Sequence, residues 1–120
     1  MESLAEFLRE AGWFSATFKI HDFIVTSVQK AKSCMPSPAK MIEFTNTQFH
    51  SNSRRIFCSI MNGNLKMGKE YFNFNEEHLV KSPIKSDYIC EYYSTKSLYA
   101  YALGDYETAL RHANEAFKQG

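Results

Sequence analysis

The sequence predicts an all-α fold made of antiparallel helical hairpins. Only five glycines and three prolines interrupt its 120 residues, while 44% of the residues are hydrophobic. Large apolar residues recur three and four positions apart, which is the spacing of one helical face. Period-two alternation is not sustained; the nearest case, residues 71–75, is short and lies inside a helix-length segment. These features favour long helices over strands.

Glycines and prolines divide the chain into six predicted helices. Gly12, Gly63 and Gly104 each stand between two apolar-periodic segments, and the breaks near Pro36 and Pro83 separate the others. The helices pair into three hairpins within a single domain of residues 1–120. The approximate hairpins are residues 2–31, 39–79 and 84–119.

The third predicted helix, residues 39–61, has the weakest apolar pattern. Its middle, residues 50–55, is entirely polar. By contrast, the sixth helix carries alanines and large apolar residues on one nearly continuous face.

The last hairpin, residues 97–117, has the most specific pattern. Small side chains at Ser97 and Ala109 allow two helices to approach closely. Gly104 suits the left-handed backbone conformation that commonly ends an α-helix, and Asp105 can cap the helix that follows. This order of large, small, turn and alanine positions is typical of tetratricopeptide repeats, so we expect hairpins stacked as a right-handed superhelix. A generic hairpin of a helical bundle is the alternative.

Both ends of the predicted array carry apolar residues. Leu4, Phe7 and Leu8 lie at one end and Phe117 at the other. A single repeat cannot bury its own apolar face, so repeats require stacked neighbours. We therefore expect the chain to belong to a longer array or to oligomerise.

The composition restricts the class of binding partner and the cellular compartment that we expect for this protein. Fourteen basic and 13 acidic residues give a net charge of +1, which does not indicate nucleic-acid binding. The charged N-terminus does not resemble a signal peptide, and no segment approaches the roughly 18 apolar residues of a membrane span. Cys34, Cys58 and Cys90 form no C-x-x-C pair, so we expect reduced thiols in a cytoplasmic protein.

Catalytic and metal-binding patterns are weak. The four histidines are dispersed and form no H-E-x-x-H or Cys/His cluster, so neither a metal nor another cofactor is expected. Cys58 and His50 are separated by about 12 Å along a helix, too far for a nucleophile and its base. The turn Asn62-Gly63-Asn64 lacks the Lys-Ser/Thr ending of a phosphate loop. We therefore expect a protein that is not an enzyme.

The candidate binding surface lies on the first helices of the second and third hairpins. A basic concentration at Arg54, Arg55, Lys66 and Lys69 suits either an acidic peptide surface or a solvated helix face. We expect exposed residues of the third and fifth helices to bind an extended segment or a C-terminal tail. These residues are Gln48, Asn52, Arg55, Tyr92, Lys96 and Tyr99.

Residues 7–15, Phe-Leu-Arg-Glu-Ala-Gly-Trp-Phe-Ser, resemble a segment of the amyloid protein-binding protein 2 family of kinesin-light-chain-like tetratricopeptide proteins. The family's next turn and helix are similar to residues 62–64 together with Lys66, Gly68, Glu70 and Phe72. The hairpin at residues 99–117 then falls where a further repeat is expected. The sequence departs from the family at two inward positions, which hold Thr17 and His21.

This resemblance implies a cytoplasmic, non-catalytic adaptor that is a fragment of a repeat array. It implies association with microtubules or kinesin-linked cargo, binding of the amyloid precursor protein tail, and substrate reception for a cullin-RING ubiquitin ligase. The alternative is a purely structural repeat segment that packs within a larger assembly.

Overall fold

The computed structural model describes residues 3–119, with only the backbone described at positions 5, 67 and 68. Within this range the chain forms six α-helices and no strand, so the predicted all-α class is confirmed. The helices are α1 (Leu4–Glu10), α2 (Trp13–Ser33), α3 (Pro38–Met61), α4 (Leu65–Lys81), α5 (Ser86–Ala102) and α6 (Tyr106–Gln119). The start of the first predicted hairpin, residue 2, lies outside the described residues. The right-handed tetratricopeptide superhelix stays a prediction.

Glycines in the left-handed conformation end three of the helices. Gly104 has a φ of +82°, and its N–H donates to the Tyr101 carbonyl at 3.0 Å. The Asp105 N–H donates to the Ala100 carbonyl at 3.0 Å, which completes a Schellman motif. The same pair of bonds surrounds Gly63, at a φ of +78°. The chain therefore reverses at the predicted positions because glycine tolerates this conformation.

Close packing of small residues joins α5 to α6. The Ser97 hydroxyl donates to the Ala109 carbonyl at 2.6 Å, so the two helices approach almost to backbone contact. Ala109 and Ala116 are buried on the inner side of α6. Oδ1 of Asp105 accepts from the Thr108 N–H at 3.2 Å, which caps the start of α6. The small-residue contact and the Asp105 cap predicted for this hairpin are both confirmed.

Helix α3 is the centre of the molecule, because it packs against α2, α4 and α5. Its side chains Phe49, Ile56 and Ile60 form a core cluster with Tyr92 of α5. The Phe49 and Tyr92 rings meet edge to face at a centroid distance of 5.2 Å. This aromatic contact fixes the packing of the third hairpin on the second.

The polar middle of α3 is buried, despite its weak apolar pattern. Ser51 and Ser53 are 1% and 0% exposed. Serine is small enough to let neighbouring helices approach, and its hydroxyl is satisfied locally: Ser53 Oγ donates to the Phe49 carbonyl at 3.2 Å. Nδ2 of the buried Asn75 then donates to Ser53 Oγ at 3.0 Å, which links α4 to α3. Hydrogen bonding therefore replaces apolar packing along this part of the core.

The molecule is elongated, with principal extents of 51 × 32 × 22 Å, and apolar side chains remain exposed at both ends. Leu4 is 72% exposed and Phe7 60%, while Phe117 is 87% exposed at the far end. Tyr106 and Leu110, two of the large apolar residues of α6, are also exposed. No helix among residues 3–119 combines the length and apolarity needed to cross a membrane.

Candidate protein-binding grooves

Two grooves lie on either side of α4. The α2–α4 groove has a volume of about 270 Å³ and includes Val25, Gln48, Asn52, Arg55, Tyr71 and Phe74. The α4–α6 groove has a volume of about 280 Å³ and includes Phe72, Glu76, Lys96, Tyr99, Leu103 and His112. The walls of each groove come from the second helices of two successive hairpins, which are α2 and α4 in one groove and α4 and α6 in the other. The helix between them in the chain, α3 or α5, contributes the remaining lining.

The predicted binding residues divide between these two grooves. Three of them, Gln48, Asn52 and Arg55, line the α2–α4 groove. Lys96 and Tyr99 line the α4–α6 groove instead. The sixth residue lines neither, because Tyr92 is fully buried in the core.

The expectation that these residues are exposed is wrong: four of the six are buried, and Lys96 and Tyr99 are half-buried. Gln48 and Asn52 are 5% and 3% exposed, Arg55 is 8% exposed, and Tyr92 is 0% exposed. The reason is that α2 and α4 cover the polar face of α3, while Phe49 and Phe72 enclose the Tyr92 ring. Their role in binding stays a prediction.

Arg55 is a buried cation with several partners. Its Nη2 donates to Oδ1 of Asp22 at 2.9 Å, and its Nη1 donates to Oδ1 of Asn52 at 2.9 Å. The guanidinium carbon lies 3.7 Å from the centroid of the Tyr71 ring. Its Nε is buried and has no hydrogen-bond acceptor within the described part of the chain. The groove therefore contains a fixed positive group that retains one unused donor.

A second cation stands near Gln48. Nζ of Lys32 donates to Oε1 of Gln48 at 3.0 Å and lies 5.4 Å from the Phe74 ring centroid. Among residues 3–119, Lys32 forms no ion pair with a carboxylate. Partial burial lowers the pKa of its ammonium group, because a charge is less well solvated there.

The α4–α6 groove contains an internal ion pair. Lys96 and the Tyr92 hydroxyl both donate to Oε1 of Glu76, the latter at 2.7 Å. Burial alone would raise the pKa of Glu76, but the two hydrogen bonds, together with the neighbouring charges of Lys96 and His112, hold this pKa below its ordinary value. Burial, followed by the Glu76 hydrogen bond, raises the pKa of Tyr92. The carboxylate thus stays charged beside an apolar floor.

No protein-family model matches the chain, and no solved structure matches it. The chain is similar to high molecular weight rhoptry protein 2 of Plasmodium falciparum, from isolates NF54 and 3D7. The similarity is 30% identity over 84 residues, which is 68% of this chain. The chain spans about 6% of the length of these curated relatives.

A histidine cluster joins α2, α3 and α5, which the sequence pattern did not indicate. Nδ1 of His50 lies 2.9 Å from Oε1 of Glu91, and its ring stacks on Tyr88 at a centroid distance of 4.8 Å. Nδ1 of His21 lies 3.2 Å from the Ser51 hydroxyl. Burial lowers the pKa of His21, and the neighbouring His50 lowers it further. No local signal predicts this cluster, because its members come from three separate helices.

The described residues contain no group of three His, Cys, Asp or Glu side chains arranged to hold a metal ion. The cysteines are free: Cys34 is exposed, Cys58 is buried and Cys90 is half-buried. Burial raises the pKa of the Cys58 thiol, which keeps it in the less nucleophilic protonated form.

Proposed function

We propose that the chain is a non-catalytic protein–protein interaction module that binds a peptide or protein segment on its helical surface. The observation that carries the proposal is the repeated groove. The α2–α4 and α4–α6 grooves have similar volumes and similar construction, and five of the six predicted binding residues line them. Concave sites with mixed apolar and polar linings are where ligands commonly bind.

The finer architecture belongs to this proposal as well. Stacked hairpins of the tetratricopeptide type would be related by a right-handed superhelical rotation. The shared Schellman turns at Gly63 and Gly104 support this arrangement, and so does the packing of α3 beside α5. Further repeats would extend the same row of grooves.

The cellular role follows from the resemblance to the amyloid protein-binding protein 2 family. We infer a cytoplasmic adaptor linked to microtubules or kinesin cargo, to the amyloid precursor protein tail, and to substrate reception by a cullin-RING ubiquitin ligase. The grooves support only the peptide-binding part of this inference, because their geometry is suited to a chain segment.

A purely structural role is the second candidate, and the exposed apolar ends favour it. Phe7 and Phe117 are both more than half exposed, as stacking surfaces within a larger assembly would be. The similarity to a rhoptry protein many times longer than this chain supports the same idea. In that case the ends, and not the grooves, would form the contacts.

Binding of an immobilised library of unstructured peptides to the purified chain separates the two candidates. Lys96 lines the α4–α6 groove, and its side chain is only 20% exposed. Lys96→Met should weaken binding of peptides that occupy this groove by about fivefold or more. Lys118→Met changes the same charge on the exposed end of α6 and should bind as the wild type does. A wild-type chain that binds no library peptide would contradict the proposal.

Variants of Arg55 and Tyr92 would not distinguish between the two candidate functions. Both side chains are buried, so their loss would disturb folding before it reported on binding.

A further inference from the structure

The three α3 residues of the α2–α4 groove lie on one helical face. Gln48, Asn52 and Arg55 are spaced at i, i+4 and i+7, and all three are buried. Their positions span about 10.5 Å along the helix axis. An extended peptide covers this distance with about three residues. These three residues form the floor of the groove, and the floor is therefore about as long as a short extended peptide segment.

The internal hydrogen bonds of this groove floor use the side-chain oxygens of Gln48 and Asn52 as acceptors, whereas several N–H donors are not used. Oε1 of Gln48 accepts from Lys32, and Oδ1 of Asn52 accepts from Arg55. The amide nitrogens of Gln48 and Asn52 donate no hydrogen bond within residues 3–119. Nε of Arg55 also lacks an acceptor there. A ligand that offers acceptor oxygens is complementary to this floor, whereas a ligand that offers only donors is not.

The charges are unevenly distributed along the groove. Arg55 is paired with Asp22, and the exposed Glu70 lies at the same end. Lys32 adjoins the groove through its contacts with the lining residues Gln48 and Phe74, and it has only this neutral amide and this aromatic face as partners. The local positive charge is therefore uncompensated beside Gln48 and Phe74. A carboxylate placed there would form a charge-assisted hydrogen bond with a half-buried ammonium group.

We propose that the α2–α4 groove binds an acidic side chain within an extended peptide segment. The carboxylate contacts Lys32, and backbone carbonyls of the segment accept from the amides of Gln48 and Asn52. Val25 and Tyr71 provide the apolar walls. This inference rests on the proposed protein-binding function and assigns the chemical class of the partner.

A peptide fits this groove better than a nucleic-acid phosphate backbone does. Asp22 and Glu70 lie beside the floor and would repel a continuous polyanion. The available amide donors are neutral and suit peptide carbonyls, while the net charge of +1 gives little long-range attraction for nucleic acid.

The first test compares three matched peptides, each acetylated and amidated, with a single Glu, Gln or Lys in a neutral sequence of serine and alanine. Fluorescence anisotropy measures their affinity for the wild-type chain. We expect the Glu peptide to bind at least about fivefold more tightly than the Gln peptide, and the Lys peptide to bind most weakly. Equal affinities would overturn the inference.

The second test exchanges the donors for acceptors without removing the internal hydrogen bonds. Gln48→Glu and Asn52→Asp retain the oxygens that accept from Lys32 and Arg55, and replace each NH₂ group by a second oxygen. We expect both variants to lose most of the affinity for the Glu peptide. Gln48→Glu should also bind the Lys peptide more tightly than the wild type does, because the floor then presents free acceptors.

Matched controls exclude a general charge effect. Lys32→Met removes the ammonium group that contacts the carboxylate and should lower the affinity for the Glu peptide to that for the Gln peptide. Asn114→Asp makes the same change as Asn52→Asp at an exposed site on α6, and Lys30→Met is the control for Lys32→Met on the same helix. Both controls should keep wild-type affinity, and circular dichroism checks that every variant is folded. Groove variants that bind as the controls do would overturn the inference. If peptides from the library still bind the chain, only this assignment fails; if no peptide binds, the proposed function fails with it.

Discussion

Arg55 is a buried charge that several weak interactions hold in place. Burying a guanidinium group is costly unless its donors are satisfied. Asp22 and Asn52 each accept one hydrogen bond from it, and the Tyr71 ring covers its face. The Asp22 side chain is 54% exposed, so the ion pair is partly screened by solvent. We infer that Arg55 stabilises the α2–α3–α4 junction through packing as much as through charge.

Replacing this residue should therefore destabilise the fold. Arg55→Met keeps the aliphatic stem but leaves Oδ1 of the buried Asn52 without its donor. We expect the free energy of unfolding to fall by about 1–3 kcal/mol, measured by urea denaturation. Arg54→Met is the neighbouring control; it loses a contact with the Phe57 ring and should cost less than about 1 kcal/mol. Equal losses for the two variants would contradict the assigned role of Arg55.

We expect His21 to make the stability of the fold depend on pH. Burial, His50 and Arg54 lower its pKa below the ordinary value of 6.5. The unfolded chain therefore binds more protons than the folded chain once the pH falls below about 6.5, so acidification favours unfolding. The same direction applies to His78 and His112, whose pKa values are also lowered mainly by burial.

We expect the urea midpoint of the wild-type chain to decrease between about pH 7.5 and 5.5. His21→Asn removes one of the contributing groups and should show a smaller decrease over the same interval. The comparison is made within each variant, so a change in its stability at pH 7.5 does not affect the conclusion. An unchanged decrease in His21→Asn would show that this residue does not contribute.

At the scale of the helices, the turn at Gly104 requires glycine because of its backbone conformation and not because of limited space. A Cβ atom at Gly104 would meet no atom within 4 Å, so space does not require glycine there. Its φ of +82° does, because side chains disfavour the left-handed region.

Gly104→Ala should lower the free energy of unfolding by about 1–2 kcal/mol. Gly104→Asn should lower it less, because asparagine tolerates the left-handed conformation better than alanine does. Thermal denaturation of the two variants side by side checks this order. A reversed order would mean that the turn does not keep its Schellman geometry in solution.

The helices themselves follow from the sequence because their ends are locally encoded. Gly12, Gly63 and Gly104 end helices through their own backbone preferences, and Ser37 caps the helix that starts at Pro38. The burial of Ser51, Asn52 and Ser53 does not follow, since serine and asparagine are also common on exposed helix faces. Only the packing of α2, α4 and α5 around α3 decides it.

For the two grooves as well, some features follow from the local sequence and others depend on how the helices pack. The hairpin pattern predicts a binding surface on the third and fifth helices, and residues of α3 and α5 do line the two grooves. That Gln48 lies beneath Lys32, and that His50 meets Glu91, depends on how separate helices pack. Residue type alone predicted exposed side chains, whereas the structure places them on a groove floor with defined hydrogen bonds.

At the scale of the whole molecule, two kinds of surface are available to partners. The grooves beside α4 combine apolar walls with fixed polar groups, and the two ends expose apolar side chains such as Phe7 and Phe117. Stacked repeats use their ends to continue an array and their faces to bind ligands. Both surfaces are thus compatible with one segment of a longer binding protein.

The central proposal is that the grooves, and not the ends, bind a peptide. Titration of the ¹⁵N-labelled chain with a library-selected peptide, followed by two-dimensional NMR, tests this most directly. We predict that the shifted amide and side-chain signals concentrate at Gln48, Asn52, Lys96 and Tyr99 and their neighbours in the grooves. Shifts confined to residues around Phe7 and Phe117 would contradict the proposal and support a purely structural role.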